Sequence, residues 1–452
     1  MKSLCKIAIL VITFLHVIKL FTPINQELLA LTTALLFVFG LSMQKRGFRN
    51  ITLLFLGLGT ALLSYYQLPF SVWMQSFTSM TNIIAIIVVM QLFAIPIEVG
   101  HYSDTVEYWL KRLFKKESSL YLFAMLVTNL FASFLLFGTV PVMVSLFNNA
   151  LKNNVTDYQR FFATAIMRGY TLALFWAPGA IIILLVMQVT HVSWSQLFLP
   201  GLLLSAIGMF TSYALEHFTR LNKPIVSISE TIHASSSSIA KNAPKQTSHI
   251  AFVIISLILG IYLFEKFSIA SGTGRILLAG LIVSTIWIAY YRKCAELKTV
   301  LSLYWKGGIM QATDFSVFFI AVGLFAGAVD HSGVLGHIQP LLQESVNHLG
   351  IFSIIVIPLL FIGIAVCGIH PLVLAVMFGK ILLSVALPLS SVSIALILIL
   401  SAAISFIISP FAGMSLMTAR FLNVTPLEVS IKWNLVFCLL FLFEGLVFAY
   451  FW

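Results

Sequence analysis

Charge is scarce in this chain. Asp, Glu, Lys and Arg make up 9% of its 452 residues, while 60% are hydrophobic. Mean hydropathy is +1.04. That balance excludes a soluble globular protein and points to a polytopic membrane protein. Cysteine is also rare. The four present, Cys5, Cys294, Cys367 and Cys438, have no metal-ligand spacing and read as packing residues. Three sequence signatures are missing: His-Glu-x-x-His, the P-loop and the nucleophile elbow. No catalytic set, metal site or cofactor is therefore expected, and no nucleotide domain that would drive an ATP-powered pump. Aromatic and basic residues do not interleave, so the net charge of +11 does not point to nucleic acid. It follows instead from basic residues gathered in a few loops, as the positive-inside rule requires. No small-residue cleavage site follows Met1-Lys2-Ser3. The run ending near Phe21 reads as a retained first helix.

What is there is a series of apolar runs. A crossing needs roughly 20 apolar residues. Runs at 4–22, 27–44, 51–68 and 81–99 fit, with Lys45, Arg46 and Arg49 marking an inner loop. An amphipathic stretch, His101 to Glu117, should lie along the inner surface. Segment 118–150 is too long for one crossing. As a straight helix it would reach about 50 Å, against a core of roughly 30 Å. It reads as a re-entrant hairpin. Run 159–190 reads as a crossing broken at Ala177-Pro178-Gly179, and run 196–217 as an ordinary one. Residues 218–248 are the one long polar stretch and read as a cytoplasmic linker. Beyond it come runs 249–267, 275–291 and 312–330. A second hairpin follows at 350–383, then a crossing at 389–421 broken at Ser409-Pro410-Phe411-Ala412-Gly413. The last run is 427–450. On this map 21 of the 26 Lys and Arg lie inside. The expectation is an all-α protein with eleven crossings and two hairpins, multi-pass in the inner or plasma membrane, with its N-terminus inside and its C-terminus outside.

Each hairpin carries Gly-x-x-Pro at its middle. The first tip is Gly138-Thr139-Val140-Pro141 and the second is Gly368-Ile369-His370-Pro371. Gly permits unusual backbone angles, and Pro removes a donor. A helix broken inside a bilayer frees backbone polar groups, which are tolerated only where they line a cavity or a site. Paired interruptions in two halves point to a substrate site. The halves align at nearly constant offset. Leu92-Phe93-Ala94 matches Leu324-Phe325-Ala326, which sets Glu98 against Asp330. Gly138 and Pro141 match Gly368 and Pro371, and Pro178 matches Pro410. The expected organisation is an N-terminal helix in 1–26, one repeat in 27–217, the linker, and a second repeat, inverted, in 249–452.

Hairpin, broken helix and crossing, repeated upside down, resemble the ion transporter superfamily. That group includes divalent anion–sodium symporters, arsenite permeases with sodium–proton antiporters, and the membrane subunit of tripartite carboxylate transporters. The stretch from Leu324 to Leu335, Leu-Phe-Ala-Gly-Ala-Val-Asp-His-Ser-Gly-Val-Leu, is similar to the family's element before its second hairpin. The resemblance implies a secondary transporter with an elevator motion and a homodimeric scaffold, its partners being the bilayer and a small solute or ion. In the anion–sodium members the tips carry Ser-Asn-Thr. Here neither tip has Asn, and only Thr139 offers a hydroxyl.

The residues themselves suggest a small anionic solute. Helix N-termini at the tips and breaks offer N–H groups and a positive dipole end. The candidate solute residues are the two tips, Pro178, Gly179, Ser409, Pro410, Gly413 and Arg168. Arg168, deep in a crossing, either contacts the anion or snorkels to the inner surface. Candidates for a coupling ion are His370, Asp330, Glu98 and Ser415. Alternatives are a neutral His370 bonded to backbone, carboxylates at the membrane surface, and hydroxyls of Ser409, Ser415 and Thr418 bonded to their own helix. Cys367, beside the second tip, reads as a packing residue like the others, with access to a thiol reagent as the alternative. Two further functions stay open at this point. One is a cation–proton antiporter. The other is a non-transporting assembly or sensor protein. A lipid-linked anion is a further choice of solute.

Overall fold

A computed structural model describes residues 2–44, 46–113, 116–135, 139–151, 155–221, 237–270, 272–292, 295–387 and 389–452. Helix is the only extended regular structure among them, as apolar runs in a bilayer require: a helix satisfies its backbone groups internally. Among the described residues, seven helices are long and apolar enough to cross a membrane. Shorter apolar helices, Gln26–Leu41, Ile181–Thr190 and Pro371–Ser384, add to these without meeting that length. The chain divides into two compact units.

The first unit comprises residues 1–99, 257–348 and 383–386. Its central helix is Ile309–Ser332, in which Val317 to Val322 are wholly buried. Small residues let neighbours approach its backbone. A Cβ on Gly59 would lie 3.0 Å from the Phe325 amide nitrogen. Buried polar atoms pair locally: His16 Nε2 with Thr81 Oγ1 at 2.8 Å, and Gln44 Nε2 donating to the Asp314 carbonyl at 2.7 Å. Leu324-Phe325-Ala326 runs through this unbroken helix. Its match, Leu92-Phe93-Ala94, falls where helix Thr81–Gln91 gives way to Ala94–Val99.

The second unit comprises residues 100–256, 349–382 and 387–452. Both broken helices and the first hairpin belong to it, as does the second hairpin up to Leu382. Helices Glu117–Leu135 and Thr139–Leu151 form the first hairpin; Ser353–Val366 and Pro371–Ser384 form the second. The first broken helix is Tyr158–Ala173 followed by Ile181–Thr190. The second is Ser391–Ile408 followed by Gly413–Leu422. Residues 161–173 and 393–408 are buried on every side, as a core helix should be. The backbone repeats at the expected offset of 232. The residue before each second half-helix is extended: Ala180 at φ −65°, ψ 121° and Ala412 at φ −64°, ψ 137°. Each half-helix ends on a left-handed residue, His191 and then Asn423. Each is followed by a reciprocal cap, Ser193 with Gln196 and Thr425 with Glu428.

One boundary differs from expectation. The polar stretch 218–248 does not stay irregular. Its residues 222–236 lie outside the described ones, but a helix already begins at Ser237 and runs to Lys266. Tertiary hydrogen bonds account for this. Gln246 bonds Thr105 and the Gly100 carbonyl, Trp109 donates to Thr247 at 2.9 Å, and Tyr102 meets His249 at 2.6 Å. The amphipathic helix Tyr102–Leu113 thus gives polar helix faces a partner, which a hydropathy reading does not register.

Candidate functional site

The second hairpin tip is built by two backbone devices. Gly368 takes φ +107°, a region that disfavours side chains. Pro371 then opens the returning helix, where its missing N–H costs nothing. Between them His370 caps that helix. Its Nδ1 accepts the Leu372 N–H at 3.3 Å, and its ring stands edge-on to Phe406 at 5.7 Å. Nδ1 as acceptor leaves the proton of a neutral ring on Nε2. Cys367, Gly368 and Ile369 are exposed and His370 is half-buried.

The second break lies beside this tip. Ser409 donates its hydroxyl to the Ala365 carbonyl at 3.1 Å and so ties the break to the hairpin. A Cβ on Gly368 would meet the Phe411 ring at 3.9 Å. Phe411 is 63% exposed. Gly413, at the start of the half-helix, has open space where a side chain would point. No side chain caps that helix start, so its first N–H groups are left for another partner. Ser415 is buried, with its hydroxyl 3.5 Å from the Ile407 carbonyl. One turn on, the buried Thr418 hydroxyl has no partner among the described residues.

The first break has the same backbone in different surroundings. Residues 171–180, including Pro178 and Gly179, are all buried. Trp176 covers the turn and donates its indole N–H to Asn129 at 3.1 Å. Asn129 donates in turn to the Gly169 carbonyl at 3.1 Å. Trp194 donates to the Trp176 carbonyl at 3.1 Å. In the first hairpin Thr139 and Val140 are wholly buried. Gly138 lies outside the described residues. Pro141 sits within helix Thr139–Leu151.

Arg168 is wholly buried, and its guanidinium has its partners within the protein. It meets Glu216 at 3.0 Å, Asn434 at 2.7 Å, Ser212 at 3.2 Å, Tyr121 at 3.3 Å and the Trp433 carbonyl at 3.0 Å. The Phe437 ring lies under it at 4.7 Å. Arg160 adds a second cation 3.5 Å from Glu216. One side chain thus joins the first hairpin, the first broken helix, helix Trp194–Thr219 and the last helix.

The remaining sequence candidates lie elsewhere. Glu98 and Asp330 are exposed at helix ends in the first unit. The second tip and the second break touch at three points: Ser409 on the Ala365 carbonyl, His370 against Phe406, and Gly368 facing Phe411. Sequence reading missed Asn129, Glu216 and Glu444. The signal was there: each is a polar residue inside an apolar run. Glu444 is the only charged residue between Trp433 and Phe451.

No family model and no curated relative matches this chain. Among solved structures it is similar to the YdaH transporter of Alcanivorax borkumensis, a structure described as having an unusual topology. The TM-score is 0.62 at 12% identity, over 89% of this chain and 98% of that one. The likeness is one of fold.

Proposed function

We propose that this chain is a secondary membrane transporter of a small anionic solute. Its site would be the second hairpin tip and the second break. One observation carries the reading. The half-helix from Gly413 starts without a side-chain cap and with open space at Gly413, and Phe411 just before it faces the exposed tip at Gly368. Free N–H groups and the positive end of a helix suit an anion without a charged side chain. Arg168 then acts through position: it holds the first hairpin and broken helix in register instead of touching solute. The exposed Ile369 and Phe411 favour an anion with an apolar part, a lipid-linked one included. Membership of the ion transporter superfamily, proton or sodium coupling, an elevator motion of the hairpin-bearing unit, a homodimer, and an inside N-terminus with an outside C-terminus belong to the same proposal. The likeness to a transporter fold supports it.

Cys367 offers a built-in reporter. It is exposed, while Cys5 and Cys438 are buried. In a Cys294→Ser background, maleimide should label Cys367 in the purified protein. A panel of anions is then screened for protection and for thermal stabilisation, because a ligand that binds only the folded state raises the melting point. One anion class that both protects and stabilises supports the proposal. Stabilisation by sodium alone, with no protection by any anion, points to a cation–proton antiporter. No effect from any ion points to a non-transporting assembly or sensor protein.

A further inference from the structure

Each hairpin is closed at its base by one side chain that grips a backbone amide just past the hairpin. In the first, Glu117 Oε1 accepts the Thr156 N–H at 3.0 Å and the Thr156 hydroxyl at 2.8 Å. In the second, Gln343 Oε1 accepts the Ala386 N–H at 2.7 Å, and Gln343 Nε2 lies 3.4 Å from the Ala386 carbonyl. Ala386 stands 230 residues after Thr156, the spacing that also separates Gly368 from Gly138. The clasp is part of the repeat.

The two clasps are anchored differently. Glu117 opens helix Glu117–Leu135 and is 3% exposed; it falls with Thr156 in the same unit as its whole hairpin. Gln343 lies within the preceding helix, Val334–Leu349, and is half-buried. Gln343 and residues 383–386 belong to the first unit, while the arms up to Leu382 belong to the second. The division of the chain thus falls at the base of the second hairpin. Hinges are the few element-terminal residues that absorb a change of direction while the helices keep their shape. Gly350 supplies one on the entering side. It is left-handed, at φ +53°, with open space where a side chain would point.

The base also has room. A cavity of about 10 Å³ lies between Ile354 and Pro358 of the entering arm, Leu382 of the returning arm, and Ile394 and Ile397 of helix Ser391–Ile408. Packed interiors leave few voids, and groups facing one lose contacts on that side. A shift of the arms therefore gives up less packing there. The far ends differ in the same sense. Thr139 and Val140 of the first tip are wholly buried, whereas Cys367, Gly368 and Ile369 of the second are exposed. Beneath the second hairpin lies Ser409, 2% exposed, which donates to the Ala365 carbonyl. We infer that the second hairpin is a lid over the second break that pivots at the Gln343–Ala386 clasp, while the first hairpin is fixed.

That the lid covers a solute site rests on the function proposed above; the pivot does not. The test uses two matched positions, Ser409 and Ala177, which stand 232 residues apart and are both buried. Ser409→Cys and Ala177→Cys are made separately in full-length protein carrying Cys294→Ser and Cys367→Ser. Each is placed in lipid nanodiscs and treated with a water-soluble thiosulfonate, with no added anion. The Ser409→Cys thiol should react in the folded protein, and the Ala177→Cys thiol should not. Adding Gln343→Leu should speed the reaction at Ser409→Cys about five-fold, the factor that one hydrogen bond is worth. The clasp acts from a distance, because the 14-residue returning arm separates base from tip by about 20 Å. If Gln343→Leu does not fold, Asn347→Ala takes its place. Asn347 is exposed and accepts from Gln343 Nε2 at 2.9 Å, so its loss should raise the same rate by a smaller factor. A Ser409→Cys thiol that stays unreactive in every background overturns the inference. So does a rate that neither clasp variant changes, and so does equal acceleration at Ala177→Cys, which would make the clasp a general brace. An anion that slows the reaction supports a solute site under the lid. Acceleration by the clasp variant with no anion slowing it supports the pivot and counts against the solute site.

Discussion

The two helix breaks share a backbone and little else. Ala180 and Ala412 are both extended, both precede an uncapped half-helix, and lie at an offset of 232. Around the first, Trp176, Asn129 and Trp194 close every side. Around the second, Phe411 and Gly413 stand open beside the hairpin tip. A repeat fixes backbone geometry; side chains then decide whether the freed N–H groups serve packing or a ligand. The first break acts as a bolt and the second as the candidate site. Substitutions at the first should therefore lower stability, and those at the second should alter ligand response.

The largest expected effect lies on the closed side. Arg168→Met strands Glu216 inside the protein with Arg160 as its remaining cation. Breaking one partner of a buried pair typically costs about 3–5 kcal/mol. Unfolding in a denaturant series should show that loss, and Arg168→Lys should recover only part of it, since an ammonium cannot match a planar fork. A stable Arg168→Met protein with lost anion response would reverse the assignment and make Arg168 a solute contact.

Next comes Asn129→Leu. It keeps the volume and removes the acceptor of the Trp176 indole and the donor to Gly169. Two buried hydrogen bonds of this kind are worth about 2–3 kcal/mol together. Melting should fall accordingly, with anion affinity at the second site unchanged. A selective loss of affinity instead would mean that both breaks hold the ligand.

Much of this architecture was legible in the sequence because helices in a bilayer obey few rules. Length gave the hairpin at 118–150, since no straight helix of that length fits the core. Pro178 and Pro410 gave the breaks, since proline cannot continue the ladder. The difference between the breaks was not legible. It depends on Asn129, 47 residues before the Trp176 it pairs with, and on Phe411 turning outward. The role of Arg168 was equally hidden. Its partners come from residues 121, 212, 216, 433 and 434, and only folding brings them together. The helix start at Ser237 was missed because the contacts that order it reach back to residues 100–109.

On the open side, Gly368→Ala should cost about 1–2 kcal/mol. The cost is in the backbone, because φ +107° strains any side chain. Space is not the obstacle: the new methyl would sit 3.9 Å from the Phe411 ring, ordinary contact. Gly169→Ala makes the sharper pair. There the added Cβ would lie 2.5 Å from the Met125 carbonyl oxygen, inside a packed core. The two alanine variants should both melt lower. Only Gly368→Ala should also change the rate at which maleimide reaches Cys367, the neighbouring residue. Equal labelling in both would show that the tip holds its shape without the glycine.

The smallest effect on stability is expected at Phe411, and it is the most telling for the comparison. An aromatic ring that is 63% exposed has little packing to lose. Removing it should change stability by no more than about 0.5 kcal/mol, as for other exposed positions. Its matched position in the first repeat, 232 residues earlier, is Gly179, which is buried. A large apolar residue thus stands in the open break and the smallest residue in the closed one. That is the reverse of what packing alone would choose, since burial of a ring is favourable and its exposure is not. A ligand with an apolar part would cover the ring and recover that burial. Phe411→Ala should therefore leave melting in the absence of ligand unchanged and weaken the stabilisation by an apolar anion. It should affect a small inorganic anion, held only by the N–H groups of the half-helix, much less. If both anions lose stabilisation equally, Phe411 shapes the break itself. If neither does, the ring faces lipid and the solute site lies away from it.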